Sequence, residues 1–346
     1  MTGLITKIRP KNRNFVGIVK MLRYLPPSLL LILGLSACEK KDKPISLPPK
    51  GNGSVMQLDM GENYEYQYFV SLQEQKIVHI SRMDQWDLAF QTGGNEHGIF
   101  LNGGKGMAAM GTGKLSFSQV GPNDTLNAAQ RWKVDQACGR IDSAAIGDWK
   151  NSDQVFLIRL DKEGKKVRKM KVTYEDPFQY IIEVGDVNST VPAQITVLKN
   201  ENQNYTYFSF PLLNTVNGVE PDNKNTWDLQ ATLYSFTFYD QEPPLPYVVN
   251  GFLSNPAEIK VYKDSVNGWD AVSKAFAEAL TYSDRLDVIG FDWKKYNIDN
   301  NVYTVDTRYT YVVKTRQNAY FKLRFLDFYS PTGVKGSPKF EFVPLP

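Results

Sequence analysis

Alternating polar and apolar positions recur along much of the chain. In Lys169-Met170-Lys171-Val172 and again in Lys322-Leu323-Arg324-Phe325, basic residues alternate with apolar ones, the period of a strand with one buried and one wet face. Each lies in a longer pair of strand-like runs broken by turn residues. Val155–Tyr174 turns at Asp161-Lys162-Glu163-Gly164, and Tyr311–Tyr329 turns at Thr315-Arg316-Gln317-Asn318. Both predict β-hairpins, and the basic run Lys162–Lys171 reads as a solvated strand face. A helical period stands out in Gly268–Asp284, where Val272, Phe276 and Leu280 are spaced by four among good helix formers, so a short helix packing one face on a core is expected there.

The same pattern is written twice. Tyr66-x-Tyr68-Phe69 precedes Trp86-Asp87-Leu88, and Tyr205-x-Tyr207-Phe208 precedes Trp227-Asp228-Leu229, with the two tryptophans 141 positions apart. Downstream, Asp148-Trp149-Lys150 answers Asp292-Trp293-Lys294, and a late hairpin follows each. Four marks in one order indicate a tandem duplication. With 19 Tyr, 19 Phe and 6 Trp, the composition favours strands. The expected fold is therefore mainly β, with two tandem all-β domains over 55–190 and 191–346 and a short helix in the second. The turn-rich Gly185–Gln194 is the expected junction.

Targeting occupies the beginning of the chain. Met21–Lys43 has a basic start, an apolar run from Leu29 to Leu35 and small residues before Cys38, a secretory signal too short to span a bilayer stably. Leu35-Ser36-Ala37-Cys38 is similar to a bacterial lipobox, in which the cysteine is acylated and the signal cut before it. Residues 1–37 are thus read as a signal region, with the signal peptide over 21–37 and Met21 as an alternative start to Met1. Residues 38–54, charged and then rich in Pro, Gly, Asn and Ser, form a tether. Several acyl chains on Cys38 anchor far more firmly than one. If Cys38 is acylated, Cys138 has no disulfide partner.

Charge and chemistry narrow the function classes. A formal net charge of +3 over 346 residues makes no case for nucleic acid. The two histidines, His79 and His97, stand in no recognisable nucleophile or acid context, and zinc-type His/Cys spacing is absent. No enzyme activity is expected.

The ordered marks, and above all the closing stretch Tyr320–Val343, resemble the HmuY family of haem-binding surface lipoproteins. The resemblance is fuller over Tyr205–Phe342 than over Tyr66–Val184. It implies two tandem HmuY-like domains, an outer-membrane lipoprotein exposed at the cell surface, haem captured from outside, and transfer to a TonB-dependent outer-membrane receptor. HmuY holds haem iron between two histidines in the segment between the Trp-Asp region and the final hairpin. Neither His79 nor His97 falls in that segment here. The expected haem contacts shift instead to the first repeat: His97, with Met107 and Met110 in the Gly-rich Asn102–Lys114, because thioethers serve as axial ligands. Against this stands the plainer use of methionine as core filler. The alternative function is a surface interaction or structural lipoprotein that keeps the fold without binding haem.

Overall fold

The computed structural model describes residues 53–93, 97–126 and 131–346; the signal region, Cys38 and most of the tether lie outside them. From the amino-terminal side come β1 (Ser54–Gln57), β2 (Tyr66–Ser71) and β3 (Lys76–Arg82). The middle of the chain supplies β4 (Leu88–Gln91), β5 (Ile99–Leu101), β6 (Ala108–Gly111), β7 (Phe156–Arg159), β8 (Val167–Glu175), β9 (Gln179–Asp186), β10 (Ala193–Leu198), β11 (Tyr205–Ser209) and β12 (Asn214–Val216). The remainder supplies β13 (Leu229–Phe238), β14 (Leu245–Ser254), β15 (Lys260–Asp264), α1 (Lys274–Glu278), β16 (Lys294–Asn297), β17 (Val302–Val305), β18 (Thr310–Lys314), β19 (Tyr320–Tyr329) and β20 (Lys335–Leu345). The mainly β expectation holds, with both hairpins in place.

The sheets divide the chain differently from the sequence repeat. One lobe is continuous: β4–β12 form the sheets β10-β9-β8-β7-β6 and β12-β11-β4-β5. The other is assembled from both ends of the described chain, in the sheets β1-β20-β19-β18-β15 and β14-β13-β2-β3 plus the ribbon β16-β17. The strand orders of the five- and four-stranded sheets match one for one, the ribbon β16-β17 having no counterpart, which is in keeping with the repeat in the sequence. In this match β1 is the counterpart of β10 and β2 the counterpart of β11. The cores follow the sheets. In the middle lobe Leu88, Phe156, Tyr180, Val197 and Phe208 pack in one cluster. In the terminal lobe Met56, Val70 and Leu72 pack with Leu229, Phe252, Trp293 and Phe340.

The expected boundary at 190/191 is therefore displaced. It falls in the turn between β9 and β10, which are antiparallel neighbours from Ala193↔Val184 to Leu198↔Gln179. The structural divisions instead precede each Trp-Asp-Leu. Periodicity reports which residues are buried, and it is silent on which repeat's strand does the covering.

Two local expectations also met the structure. Val272, Phe276 and Leu280 pack together as the helical period required, but α1 itself is only Lys274–Glu278. The Ser273 side chain accepts from the Phe276 N–H at 3.2 Å, an N-cap, and the Tyr282 hydroxyl donates to the Ala277 carbonyl at 2.8 Å, satisfying a carbonyl at the far end. The basic face of β8 is not simply solvated. Lys169 is fully buried, its Nζ donating to the carbonyls of Phe117 (3.1 Å), Val120 (2.8 Å) and Ser189 (2.5 Å) and lying over the Phe117 ring. Burial lowers its pKa.

These connectivities predict how fragments behave. Residues 84–226, which carry all of β4–β12, should fold with a cooperative thermal transition by circular dichroism. Residues 191–346 lack β1 and β2 and should not. Cooperative unfolding of 191–346 alone would contradict the assignment of β1 and β2 to the terminal lobe.

Candidate functional site

Each Trp-Asp-Leu is the start of a strand and is gripped in the same way in both lobes. The Asp228 N–H donates to the Val70 carbonyl and the Asp87 N–H to the Phe208 carbonyl, both at 2.8 Å. The carboxylates return the contact: Asp228 Oδ2 accepts from the Leu72 N–H at 2.8 Å, and Asp87 Oδ2 from the Phe210 N–H at 2.7 Å. Behind each stands a buried asparagine. Asn102 Nδ2 donates to the Trp86 carbonyl at 2.9 Å and Asn255 Nδ2 to the Trp227 carbonyl at 2.8 Å, while their N–H groups donate to the carbonyls of Asp87 and Asp228. Phe69 stands opposite Gln230 as Tyr207 stands opposite Ala89, so the aromatic at Phe69 takes the place that Tyr207 occupies in the other lobe. Trp227 meets Phe69 edge-on at 4.9 Å, and Trp86 meets Tyr207 at 5.0 Å.

Both indoles face a cleft of about 130 Å³ between the lobes, lined on one side by Trp86, Phe100, Asp135, Tyr205, Tyr207 and Glu220 and on the other by Phe69, Trp227, Gln230, Thr232 and Tyr234. The Nε1 atoms of Trp86 and Trp227 and the hydroxyl of Tyr234 are buried without hydrogen-bond partners. A buried donor left unpaired costs about 1–3 kcal/mol; each of these atoms has essentially no accessible surface, so a guest pairs with them only as the walls adjust.

Two carboxyls complete the walls. Glu220 is 1% exposed and accepts from the Tyr205 N–H at 2.9 Å and from Asn204 Nδ2 at 3.2 Å. Burial outweighs these bonds and pushes it up to about 7. Asp135 accepts from the Leu101 and Ala145 N–H groups at 2.5 and 2.7 Å, yet burial raises it to about 6. Burial also holds the phenols of Tyr207 and Tyr234 far above their ordinary range.

The sequence-predicted residues are elsewhere. His97 sits beside Trp149, ring centroids 6.0 Å apart, with Nε2 3.9 Å from Asp148 Oδ1; its carbonyl accepts from Trp149 Nε1 at 2.8 Å. Met107 is fully buried in the middle-lobe core with Ala109 and Ile158. Met110 is buried in a separate cluster with Val155 and Leu157. Strand alternation puts these two thioethers on opposite faces of one sheet, so they cannot serve one iron together, and the expected grouping of His97, Met107 and Met110 gives way to packing. The cleft contains no His, Met or Cys, and its volume is small beside the roughly 300–1,000 Å³ of drug-sized ligand pockets. Iron-ligated haem does not fit it. Among the described residues no group of three or more His, Cys, Asp or Glu is placed to hold a metal ion, and no helix is long and apolar enough to cross a membrane.

Sequence reasoning used Trp86 and Trp227 only as repeat markers. Asn102, Asn255, Asp135 and Glu220 were missed: the asparagines recur after each Trp-Asp-Leu at unequal distances, 16 and 28 residues beyond the tryptophan, and the carboxyls have no counterpart in the repeat marks.

Comparison with known proteins locates part of the chain. Residues 63–195 match the family model described as HmuY protein. This is the first sequence repeat, where the resemblance in the residues was the weaker, and it includes β2 and β3 of the terminal lobe. No curated protein matches. Similar solved structures include the apo HmuY analog TFO of Tannerella forsythia, at 10% identity over 87% of this chain and 99% of that one, with a TM-score of 0.25. Apo PinO of Porphyromonas gingivitis gives 9% identity over 86% and 99%, also with a TM-score of 0.25. At those scores the superpositions carry no argument about the site, which rests on the side chains described above.

The state of Glu220 is testable. Its folded pKa is raised, so the folded form keeps a proton that the unfolded carboxyl, ordinarily near 4.5, would release. The stability it contributes is complete below about 4.5 and is lost as pH rises through about 7, a change on the order of 3 kcal/mol. The groups acting on it are Asn204, the Tyr205 amide and, most weakly, Lys224. Glu220→Gln should therefore be more stable than the parent at pH 8, by roughly 1–3 kcal/mol in denaturant midpoints, and equal to it near pH 4. A difference independent of pH would contradict the buried, protonated carboxyl.

Proposed function

The chain is HmuY-like over residues 63–195, and from that premise we propose that it is a lipid-anchored capture protein whose ligand enters the cleft between the lobes and is not held through haem iron. The observation that carries this reading is the pairing of two unpartnered indoles, Trp86 and Trp227, across an aromatic cleft whose described lining holds no His, Met or Cys to ligate iron. Duplication has a purpose here, since one lobe supplies only one wall. The lipobox-like Leu35–Cys38 and the tether that follows support a position at the outer membrane, facing outward. From there a captured ligand passes to a TonB-dependent receptor, the partner that the family role implies. The reading is of binding and delivery, not catalysis.

Haemin tests it directly. Added to the full-length protein, it should produce no low-spin spectrum in the ferric or the ferrous state, and the double variant Met107→Leu, Met110→Leu, which nearly preserves volume, should behave as the parent does. A low-spin spectrum saturating at one equivalent and lost in the double variant would restore the histidine–methionine haem site and reject the cleft as the place of capture.

A further inference from the structure

The cleft brings together two features that do not usually coexist without a counter-ion. Asp135 and Glu220 are 9% and 1% exposed, yet no Lys, Arg or His is among the residues that line the cavity. Buried carboxylates are ordinarily paired. Two others in this protein are: Glu341 with Arg324 at 2.7 Å, and Glu175 with Lys150 at 2.6 Å, while Asp228 and Asp264 are held by N–H donors alone. Around the same space stand the rings of Phe69, Trp86, Phe100, Tyr205, Tyr207 and Trp227. Aromatic faces attract cations, most strongly where water is excluded, and quaternary ammonium groups are held by such cages. The buried donors Trp227 Nε1 and Tyr234 hydroxyl, in residues 2% and 5% exposed, lack acceptors. The guest is therefore expected to bring a positive charge, and an oxygen that pairs with these donors as the walls adjust to it.

Resting on the cleft as the place of capture, we infer that the ligand is a small organic ammonium compound carrying an oxygen acceptor, its cationic head among the rings and carboxyls and its oxygen toward the unpaired indole and phenol donors. Size agrees: a cavity of about 150 Å³ takes a benzene-sized guest, and at about 130 Å³ this one suits an ammonium head with a short polar arm. An anionic ligand would meet two carboxyls with no cation to offset them. A neutral ring gains nothing from the carboxyls, whereas a cation favours their ionised form and releases the proton that burial otherwise holds on Glu220.

Choline is the probe, with its neutral isostere 3,3-dimethylbutanol as the comparison. Titrated calorimetrically into the full-length protein in dodecyl maltoside, choline should saturate at one equivalent, and the isostere should bind at least tenfold more weakly. Glu220→Gln should weaken choline at least tenfold while leaving the isostere unchanged. The ligand-side comparison needs no variant and stands even if that protein folds poorly. Equal affinity for the two probes would overturn the ammonium assignment while leaving the cleft as a binding place; binding of neither would overturn this inference, and only a low-spin haem spectrum bears against the capture reading itself. Phosphatidylcholine vesicles separate a free ligand from a lipid headgroup. With the Cys38→Ala protein, which carries no acyl chains, a free ligand predicts no co-sedimentation, whereas co-sedimentation abolished by Glu220→Gln would retain the ammonium class and assign its source to lipid.

Discussion

A buried aspartate that accepts the backbone N–H of a strand far away in sequence organises this protein. Asp228 takes the Leu72 amide and Asp87 takes the Phe210 amide. The bond is charge-assisted, and removal of the carboxylate would leave a buried donor unpaired. Because Asp228 reaches into the first sequence repeat and Asp87 into the second, neither repeat is closed by itself. The strand β13 takes β2 as its neighbour, and β4 takes β11. The chain's first described strand, β1, then lies along β20 from Ser54↔Phe342 to Gln57↔Lys339, so the terminal lobe is sealed by the segment next to the tether.

The clasp also builds the site. Carbonyls of Trp86 and Trp227 are held from behind by Asn102 and Asn255, which fixes both indoles at the cleft with their N–H groups unused. A structural device repeated in two lobes thus presents two similar walls to one space. The flanking residues are unlike: Ala89 stands in one lobe where Gln230 stands in the other, and Glu220 and Asp135 belong to the middle lobe alone. The cleft is symmetric in its aromatic frame and asymmetric in its charge, as recognition of a ligand with two different ends requires.

Much of the fold was legible in the residues. Alternation in Lys169–Val172 and Lys322–Phe325 marked β8 and β19, spacing by four marked the packing of Val272, Phe276 and Leu280, and the repeated Trp-Asp-Leu marked the duplication. What could not be read was partnership. A strand pattern is satisfied by any neighbour with a matching face, so the exchange of β2 and β11 left no trace in it. Lys169 shows the same limit, since alternation assigned its face to water while three carbonyls from distant loops enclose it. Met107 and Met110 were near in sequence and apart in space, because strand alternation sends residues three apart to opposite faces. The cleft carboxyls were illegible, as their meaning arises from burial and from the absence of a cation among the described residues that line the cleft.

The exchange of strands is tested most directly by hydrogen–deuterium exchange, followed by mass spectrometry, in the Asp228→Ala variant of the full-length protein. The account predicts that Tyr66–Ser71 and the following Leu72 amide lose protection, while Tyr205–Ser209 keeps the protection of the parent. Loss of protection in Tyr205–Ser209 with Tyr66–Ser71 unaffected would mean that each repeat closes on itself, and would contradict the cross-assembled lobes and the cleft built between them.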